Sequence, residues 1–305
     1  MDRAAIAEIS AIFLWALGNV FIAHLSFFFD NFTQNFFRYI SAATLLLFFS
    51  LTFYRGRYLA SFRYLKNLFA LAVVVFLFQI FYVEGIVLAS PTIGSLITRL
   101  SVVFVDLLSF LLFPEERALV RNTRFIIGTI IALIGVFGVA LSGSGLFYAG
   151  SAFLGGILSL LVASALWAAY IITLRVSLRT ADPLSITTNT YLISGIMFAP
   201  FLVTYGNFYK IFEVGAFVAL YLVLSGFISV GVGNLLNSYA IQRMGASLPA
   251  NLQLLLPVFT GALSFLILKE PMPLAKLTAS ALTLLGCWLI LSVNVDGKSS
   301  AQKSF

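Results

Sequence analysis

Long apolar segments alternate with short polar breaks along most of this chain. A helix of about 20 residues spans a hydrocarbon core of about 30 Å, because each residue adds about 1.5 Å. The pattern therefore predicts ten membrane-spanning helices. In chain order they cover about 9–29, 33–53, 67–88 and 91–113, two segments between 124 and 175, and then 183–205, 215–237, 247–268 and 275–293.

The breaks between these segments have the composition of turns and loops. Asp30-Asn31 separates the first two helices, and a basic loop over 55–66 precedes the third. Pro91 disfavours helical geometry at Ser90, so a tight turn is predicted between the third and fourth helices. The Ser-Gly-Ser-Gly run at 142–145 separates the fifth from the sixth.

Several residues recur at nearly constant offsets, which indicates an internal duplication. The segment 109–112 with Glu115 matches 264–267 with Glu270 at an offset of 155. Further pairs at offsets of 152 or 151 are Trp15 and Trp167, Asp30 and Asp182, Tyr39 and Tyr191, and Gly135 and Gly286. Five helices per copy is an odd number, so the second copy enters the membrane from the opposite side. We expect two inverted five-helix repeats, residues 1–146 and 147–305.

Composition places the chain in a bilayer. It is 61% hydrophobic and 10% charged with a mean hydropathy of +1.06, which leaves too little polar surface for a water-soluble globule. The net charge of +7 comes from residues in short loops, where the positive-inside bias explains it better than nucleic-acid binding. The fold class is therefore an all-α integral membrane protein.

The distribution of Lys and Arg predicts the orientation. With the N-terminus inside, the inner segments hold thirteen of these residues and the outer loops hold three. Both termini are thus expected in the cytoplasm of a cell with a bacterial-type inner (plasma) membrane.

The sequence offers little for metal or covalent chemistry. One cysteine, Cys287, and one histidine, His24, allow neither an intrachain disulfide nor a spaced metal site. No G-x-S-x-G, H-E-x-x-H or G-x-x-x-x-G-K-[ST] motif is present, which argues against an intramembrane enzyme and against ATP as a driving force. We expect no cofactor and no metal, and nothing implies a protein partner.

Short motifs carry a resemblance to a known family. They are Leu14-Trp15 and Leu166-Trp167, Phe37-Arg38-Tyr39, and Pro257-Val258-Phe259. In addition, the segments 112–136 and 268–287, which follow the fourth and ninth helices, each run from an acidic residue to a glycine in the next apolar segment. In these motifs the chain resembles the drug/metabolite transporter superfamily, EamA type, and within it YddG-type exporters of aromatic amino acids. Val102 departs from the pattern, because it stands where the second copy has Pro257. The resemblance implies that helices 1, 3, 4, 6, 8 and 9 line a central cavity, while 5 and 10 support the halves.

Polar residues in those helices are the site candidates, since a polar group facing lipid is costly. Arg99 is expected near mid-membrane, with Ser95, Val102 and Asp106 on the same helical face. It either receives a substrate carboxylate or forms an ion pair with Glu84 or Asp106, and both interpretations stay open. Glu84 and Asp106, together with Glu8, are the membrane-embedded acids that are candidates to carry a coupling proton.

Gln79 and Tyr82 lie three residues apart on the third helix, at about the depth of Arg99. Gln79 is expected to bind an amino group and Tyr82 to stack on a ring, or both simply pack between helices.

The remaining candidates are pairs of a ring with a polar group, and a set of amides and hydroxyls. Trp15 with Asn19 and Trp167 with Tyr170 are predicted to bind substrate, although the second pair also suits an aromatic belt at the inner interface. Arg38 is expected to snorkel to the interface, and Glu8 and Glu84 to be solvated near helix ends. A possible inner gate, or a set of caps and packing groups, comprises Asn234, Ser238, Asn251 and Gln253.

Together these features predict a secondary transporter that exports small organic solutes, in particular amino acids including aromatic ones, by alternating access. The expected partners are a small-molecule substrate and the lipid bilayer, without nucleic acid. Efflux of cationic drugs, a channel and a non-transporting membrane scaffold are the alternatives.

Overall fold

The computed structural model describes residues 2–89, 94, 97–141, 151–268 and 272–293, and within these ranges the chain is helical without β-strands. We number the long helices in chain order. They are α1 Arg3–Leu25, α2 Asn31–Phe53, α3 Leu65–Ala89, α4 Ser101–Leu112, α5 Thr123–Leu141, α6 Ser151–Ser177, α7 Pro183–Tyr205, α8 Ala216–Met244, α9 Ser247–Ile267 and α10 Leu274–Leu291.

The described helices confirm an all-helical membrane architecture. Eight of them are long and apolar enough to cross a bilayer. Helix α5 belongs to a bent pair, at 69° to the short segment Pro114–Val120. Helix α4 has only 12 residues, and most of the stretch before it, with the turn expected at Ser90-Pro91, lies outside the described residues. Ten membrane crossings therefore remain a prediction.

Two helices that the repeat offset relates begin in the same way. The Asp30 side chain accepts a hydrogen bond from the Thr33 amide at 2.8 Å, and Asp182 accepts one from the Ser185 amide at 3.2 Å. An aspartate at this position satisfies an amide that the first helical turn leaves unpaired. The shared cap explains why α7 begins at the predicted Pro183 and why α2 begins at Asn31, two residues before its predicted start.

Several predicted helix boundaries differ from the structure. The basic segment expected as a loop contains the helix Arg55–Ser61, which is anchored where Tyr58 Oη donates to Asn189 Oδ1 at 2.9 Å. Helix α8 extends past residue 237 to Met244 and contains a π-helical segment over Gly226–Gly233. The fourth helix is interrupted by a turn at Arg99 and Leu100.

That turn is formed by tight backbone hydrogen bonds. The amide of Val102 donates to the Arg99 carbonyl at 3.2 Å, and the amide of Val103 donates to the Leu100 carbonyl at 3.0 Å. Bonds of this i to i+3 type wind the backbone more tightly than an α-helix does. The face expected to be shared by residues 95, 99, 102 and 106 stays a prediction, because residue 95 lies outside the described residues.

Helices α5 and α10 pack against each other through glycines. A Cβ atom added to Gly135 would lie 2.5 Å from the Thr283 amide nitrogen, and one added to Gly286 would lie 2.4 Å from the Ala132 nitrogen. The two backbones therefore approach as closely as small residues permit. Gly135 and Gly286 are the pair that the repeat offset relates.

A polar junction joins the two halves at the end of the bundle predicted to face the cytoplasm. Glu116, which follows α4, accepts hydrogen bonds from the amides of Ala246 and Ser247 at 2.8 and 2.9 Å, where α9 begins. Arg175 at the end of α6 lies 3.6 Å from Glu116 and donates to the carbonyls of Ile241 and Gln242 at 3.1 Å each. The junction thus caps the end of α8 and the start of α9.

Candidate functional site

A cavity of about 160 Å³ lies inside the bundle. Its lining comes from α1, α2, α3, the turn before α4, α6, α7, α8 and α9, whereas α5 and α10 contribute no described lining residue. The lining residues are Trp15, Gly18, Asn19, Ile22, Asn35, Arg38, Tyr39, Val75, Phe78, Gln79, Tyr82, Thr98, Arg99, Trp167, Tyr191, Ser229, Val230, Asn234, Gln253 and Leu256.

Arg99 reaches this cavity from the turn before α4. Its Nη1 donates to the Gln253 carbonyl at 3.4 Å. In the described part of the chain, no carboxylate oxygen lies within 4.0 Å of its guanidinium. Glu84 is exposed, and Asp106 instead accepts both its bonds from Asn251 Nδ2, at 2.9 and 3.0 Å. Neither of the ion pairs considered for Arg99 is formed among the described residues.

Arg38 is a second guanidinium in the lining, and the prediction that it snorkels to the interface is wrong. Its residue is 6% exposed, and Nη2 donates to Ser229 Oγ at 2.8 Å. Its buried Nε has no hydrogen-bond partner among the described residues. The helix begins at Asn31, so residue 38 lies two turns inside the bundle rather than at the membrane surface.

Helix α3 supplies an amide, Gln79, and a ring, Tyr82, to the lining. Gln79 Nε2 donates to Asn35 Oδ1 at 3.1 Å, and both residues line the cavity. The Tyr82 ring stacks on Phe78 with centroids 5.4 Å apart. Asn35 and Phe78 were not among the sequence candidates, and nothing in their local sequence distinguishes them from packing residues.

The tryptophans of the two repeats meet in the cavity. The rings of Trp15 and Trp167 lie 6.1 Å apart in an edge-to-face arrangement, and Trp167 Nε1 donates to Gln253 Oε1 at 3.1 Å. Trp167 is thus held inside the bundle and not in an interfacial belt. Asn19 also lines the cavity and donates to Thr260 Oγ1 at 3.3 Å.

Two tyrosines form one wall of the cavity, and a third lies behind them. Tyr39 and Tyr191 line the cavity, and their rings lie 5.4 Å apart. Tyr170 is buried behind them, with its hydroxyl 3.4 Å from that of Tyr191, so the structure places it outside the lining. The repeat match between positions 39 and 191 was the sequence signal for the pair that lines the cavity.

The four residues proposed as a gate separate into two groups. Asn234 and Gln253 line the cavity. Ser238 pairs with Thr187 at 2.9 Å, and Asn251 with Asp106 and Thr129, so these two pack between helices. Ser95 lies outside the described residues.

Glu8 contradicts the expectation that it is solvated. Its residue is 0% exposed, and its Oε1 accepts a hydrogen bond from Gln253 Nε2 at 3.3 Å. The apolar pattern predicts a first helix from residue 9, whereas α1 starts at Arg3 behind an Asp2 cap. Glu8 therefore lies more than one turn inside the helix, where α8 and α9 cover it.

The arrangement suits an anion that carries an apolar or aromatic body. The described lining contains two arginines and no Asp or Glu, beside the rings of Trp15, Phe78, Tyr82 and Trp167. A guanidinium in a water-poor cavity binds a carboxylate through paired, charge-assisted hydrogen bonds. Aromatic faces and edges supply contacts for a ring.

Comparison with known proteins agrees with this architecture. Two curated relatives are named uncharacterized transporters. One, from Haemophilus influenzae, is 24% identical over 298 residues, covering 95% of this chain and 98% of the relative. The other, from Archaeoglobus fulgidus, is 26% identical over 230 residues, covering 74% of this chain and 78% of the relative. A solved crystal structure of a 19% identical protein shares the fold with a TM-score of 0.79, covering 94% of this chain and 95% of that one.

The family model for EamA-like transporters matches the chain twice, over residues 3–141 and 154–292, which together cover most of its length. The two matches correspond to two repeats. Trp15, Trp167 and all the described residues that line the cavity lie within these ranges. The chain is therefore a membrane transporter and belongs to the EamA-like transporter family.

Proposed function

We propose that the protein exports small solutes that carry a carboxylate, in particular amino acids including aromatic ones, across a bacterial-type inner membrane by alternating access. The observation that supports this most is the lining of the cavity, which combines Arg38 and Arg99 with six aromatic rings and has no described acid.

Arg99 is the proposed carboxylate receptor. Its guanidinium has no described carboxylate partner, and its one described hydrogen bond, to the Gln253 carbonyl, is long at 3.4 Å. Gln79 lies in the same lining, and its Oε1 is proposed to accept from the amino group of an amino acid. Tyr82 and the two tryptophans are proposed to contact the side chain.

The size of the cavity supports a small solute. At about 160 Å³ it is below the roughly 300–1,000 Å³ typical of pockets for drug-sized ligands. Its charge also disfavours the alternative of cationic drugs, because two guanidiniums repel a cation and no described lining carboxylate offsets them. YddG-type specificity for aromatic amino acids is the narrower form of the same proposal.

The two repeats supply the proposed mechanism of movement. Residues 1–146 and 147–305 are proposed to rock against each other around the cavity, with both termini in the cytoplasm. In the present conformation Glu116 and Arg175 join the halves at the predicted cytoplasmic end. Opening toward the cytoplasm then requires this junction to separate.

Counterflow in proteoliposomes tests the proposal. Vesicles loaded with one unlabelled amino acid at a time are diluted into tritiated L-phenylalanine, and we expect transient uptake that saturates and depends on the internal amino acid. A channel gives flux without this trans-stimulation, and a scaffold gives no flux. Absence of trans-stimulated uptake across the whole amino-acid panel, in vesicles with verified protein insertion, contradicts the proposed function.

A further inference from the structure

We propose that the Glu8 carboxyl is the proton-binding site of this transporter and that Gln253 links it to the substrate cavity. The proposal rests on the proposed transport function and names its coupling ion, a proton. It uses a buried acid outside the cavity lining.

Burial is the first observation. Glu8 is 0% exposed on α1, and in the described chain no Lys, Arg or His nitrogen lies within 4.0 Å of its carboxylate. An ionised carboxylate held without a cation away from water is costly, so the group gains by binding a proton. Binding converts the carboxylate into a neutral carboxylic acid, and release returns the charge.

The Asn237 amide can form a hydrogen bond with Glu8 in either protonation state of the carboxyl group. One atom of the Asn237 amide lies 3.0 Å from Glu8 Oε2. With its nitrogen toward Glu8, the amide donates to a carboxylate, and with its oxygen toward Glu8, it accepts from a carboxylic acid. In the second orientation Gln253 Nε2 also donates to Asn237 Oδ1 at 3.3 Å. A proton on Glu8 therefore changes the hydrogen bonds of Gln253.

Gln253 connects this site to the cavity. Its Nε2 donates to Glu8, its Oε1 accepts from Trp167, and its carbonyl accepts from Arg99. It also lies in a 3₁₀ interruption of α9 over Gln253–Leu255, where the backbone departs from regular α-helix. A solute that binds Arg99 and Trp167 therefore changes the contacts of Gln253, which donates a hydrogen bond to Glu8. By linkage, a proton on Glu8 then alters the affinity for the solute.

The other ionisable groups on the elements around Glu8 are either exposed or bound to a described partner. Helix α9 has no Asp, Glu, Lys or Arg over Ser247–Ile267. On α1, Asp2 and Arg3 are exposed, and on α8 Arg243 is exposed and lies over the Tyr239 ring. Near α4, Arg99 binds the Gln253 carbonyl and Asp106 binds Asn251. Asp106, which does not line the cavity, is the matched control acid.

Proton-driven accumulation of tritiated L-phenylalanine tests the proposal in proteoliposomes of the full chain, with the pH gradient imposed in each direction. We expect wild type and Asp106→Asn to accumulate the solute above its equilibrium level under one direction. Glu8→Gln is expected to perform counterflow, but under either pH gradient the internal solute should only reach its equilibrium level. Glu8→Asp is expected to keep part of the accumulation. Accumulation by Glu8→Gln equal to wild type, or its loss in Asp106→Asn instead, overturns the proposal.

A measurement on wild type covers the case in which Glu8→Gln does not insert. L-Phenylalanine is added to purified protein in weakly buffered detergent solution, and pH is followed with a soluble indicator dye. We expect a net uptake or release of protons that saturates with the solute. Saturable solute binding without any proton exchange overturns the role of Glu8, whereas absence of counterflow in wild type instead contradicts the proposed function.

Discussion

Arg99 is the residue proposed to bind the solute carboxylate, and its guanidinium lines the cavity without a described carboxylate partner. The tight turn at Arg99 and Leu100 directs the guanidinium to the cavity, and Asp106 is bound by Asn251 instead. A lysine at the same place keeps the charge but loses the planar fork that binds a carboxylate through two bonds.

We expect Arg99→Lys to raise the half-saturation concentration for L-phenylalanine counterflow by about 10- to 100-fold, since a hydrogen bond to a charged group contributes about 1.5–3 kcal/mol. Arg99→Gln is expected to abolish counterflow. The exposed Arg124, outside the cavity, provides the control Arg124→Gln, which should transport like wild type. Normal transport by both Arg99 variants at equal reconstitution contradicts the carboxylate role.

The π-helical segment of α8 determines how closely that helix approaches α2. A Cβ atom added to Gly226 would lie 2.4 Å from the Arg38 carbonyl oxygen, which is backbone and cannot rotate away. At Gly231, in the same segment, the nearest atoms would lie at 3.6 Å, an ordinary contact. Crowding among the glycines of this segment is therefore uneven, although all of them lie within eight residues.

We expect Gly226→Ala to lower the apparent unfolding temperature of the detergent-solubilised protein by several degrees and to impair transport, since overpacking costs about 1–3 kcal/mol. Gly231→Ala is the matched control and should behave like wild type. Gly195 has an intermediate environment, because its close neighbour is the end of the flexible Ile40 side chain at 2.7 Å. Equal unfolding temperatures for the two alanine variants, followed by tryptophan fluorescence, contradict the packing described for α8.

The bundle as a whole combines an apolar exterior with an interior in which apolar clusters surround the polar residues of the cavity. Large side chains such as Phe27, Val203 and Phe217 are at least three-quarters exposed, at 84%, 80% and 76%, as expected for surfaces that contact lipid. The loop charges predict which end of the bundle faces the cytoplasm.

Single cysteines at Arg57 and Tyr205, both exposed, test this orientation with a membrane-impermeant maleimide on intact cells. We expect labelling at 205 and not at 57. The native Cys287 is buried, so the wild-type protein is the unlabelled control. Labelling at 57 alone would reverse the predicted orientation.

Local sequence predicts most of the architecture, and it fails where packing between distant helices decides. Aspartate caps and apolar length locate α2 and α7, and the repeat offset identifies Tyr39 and Tyr191. The turn at Arg99 has no glycine or proline at positions 99–100 to reveal it. The burial of Arg38 and Glu8 was missed because it depends on α8, almost 200 or more residues away in the chain.

Competition by two solutes that differ in one charged group tests whether this cavity recognises a carboxylate. Counterflow of tritiated L-phenylalanine is measured in proteoliposomes with increasing external 3-phenylpropionate, which keeps the ring and the acid, or phenethylamine, which keeps the ring and the amine. Because Arg38 and Arg99 line a cavity without a described acid, we expect the acid to inhibit at concentrations about tenfold or more below the amine. Equal inhibition by both, or stronger inhibition by phenethylamine, contradicts the account.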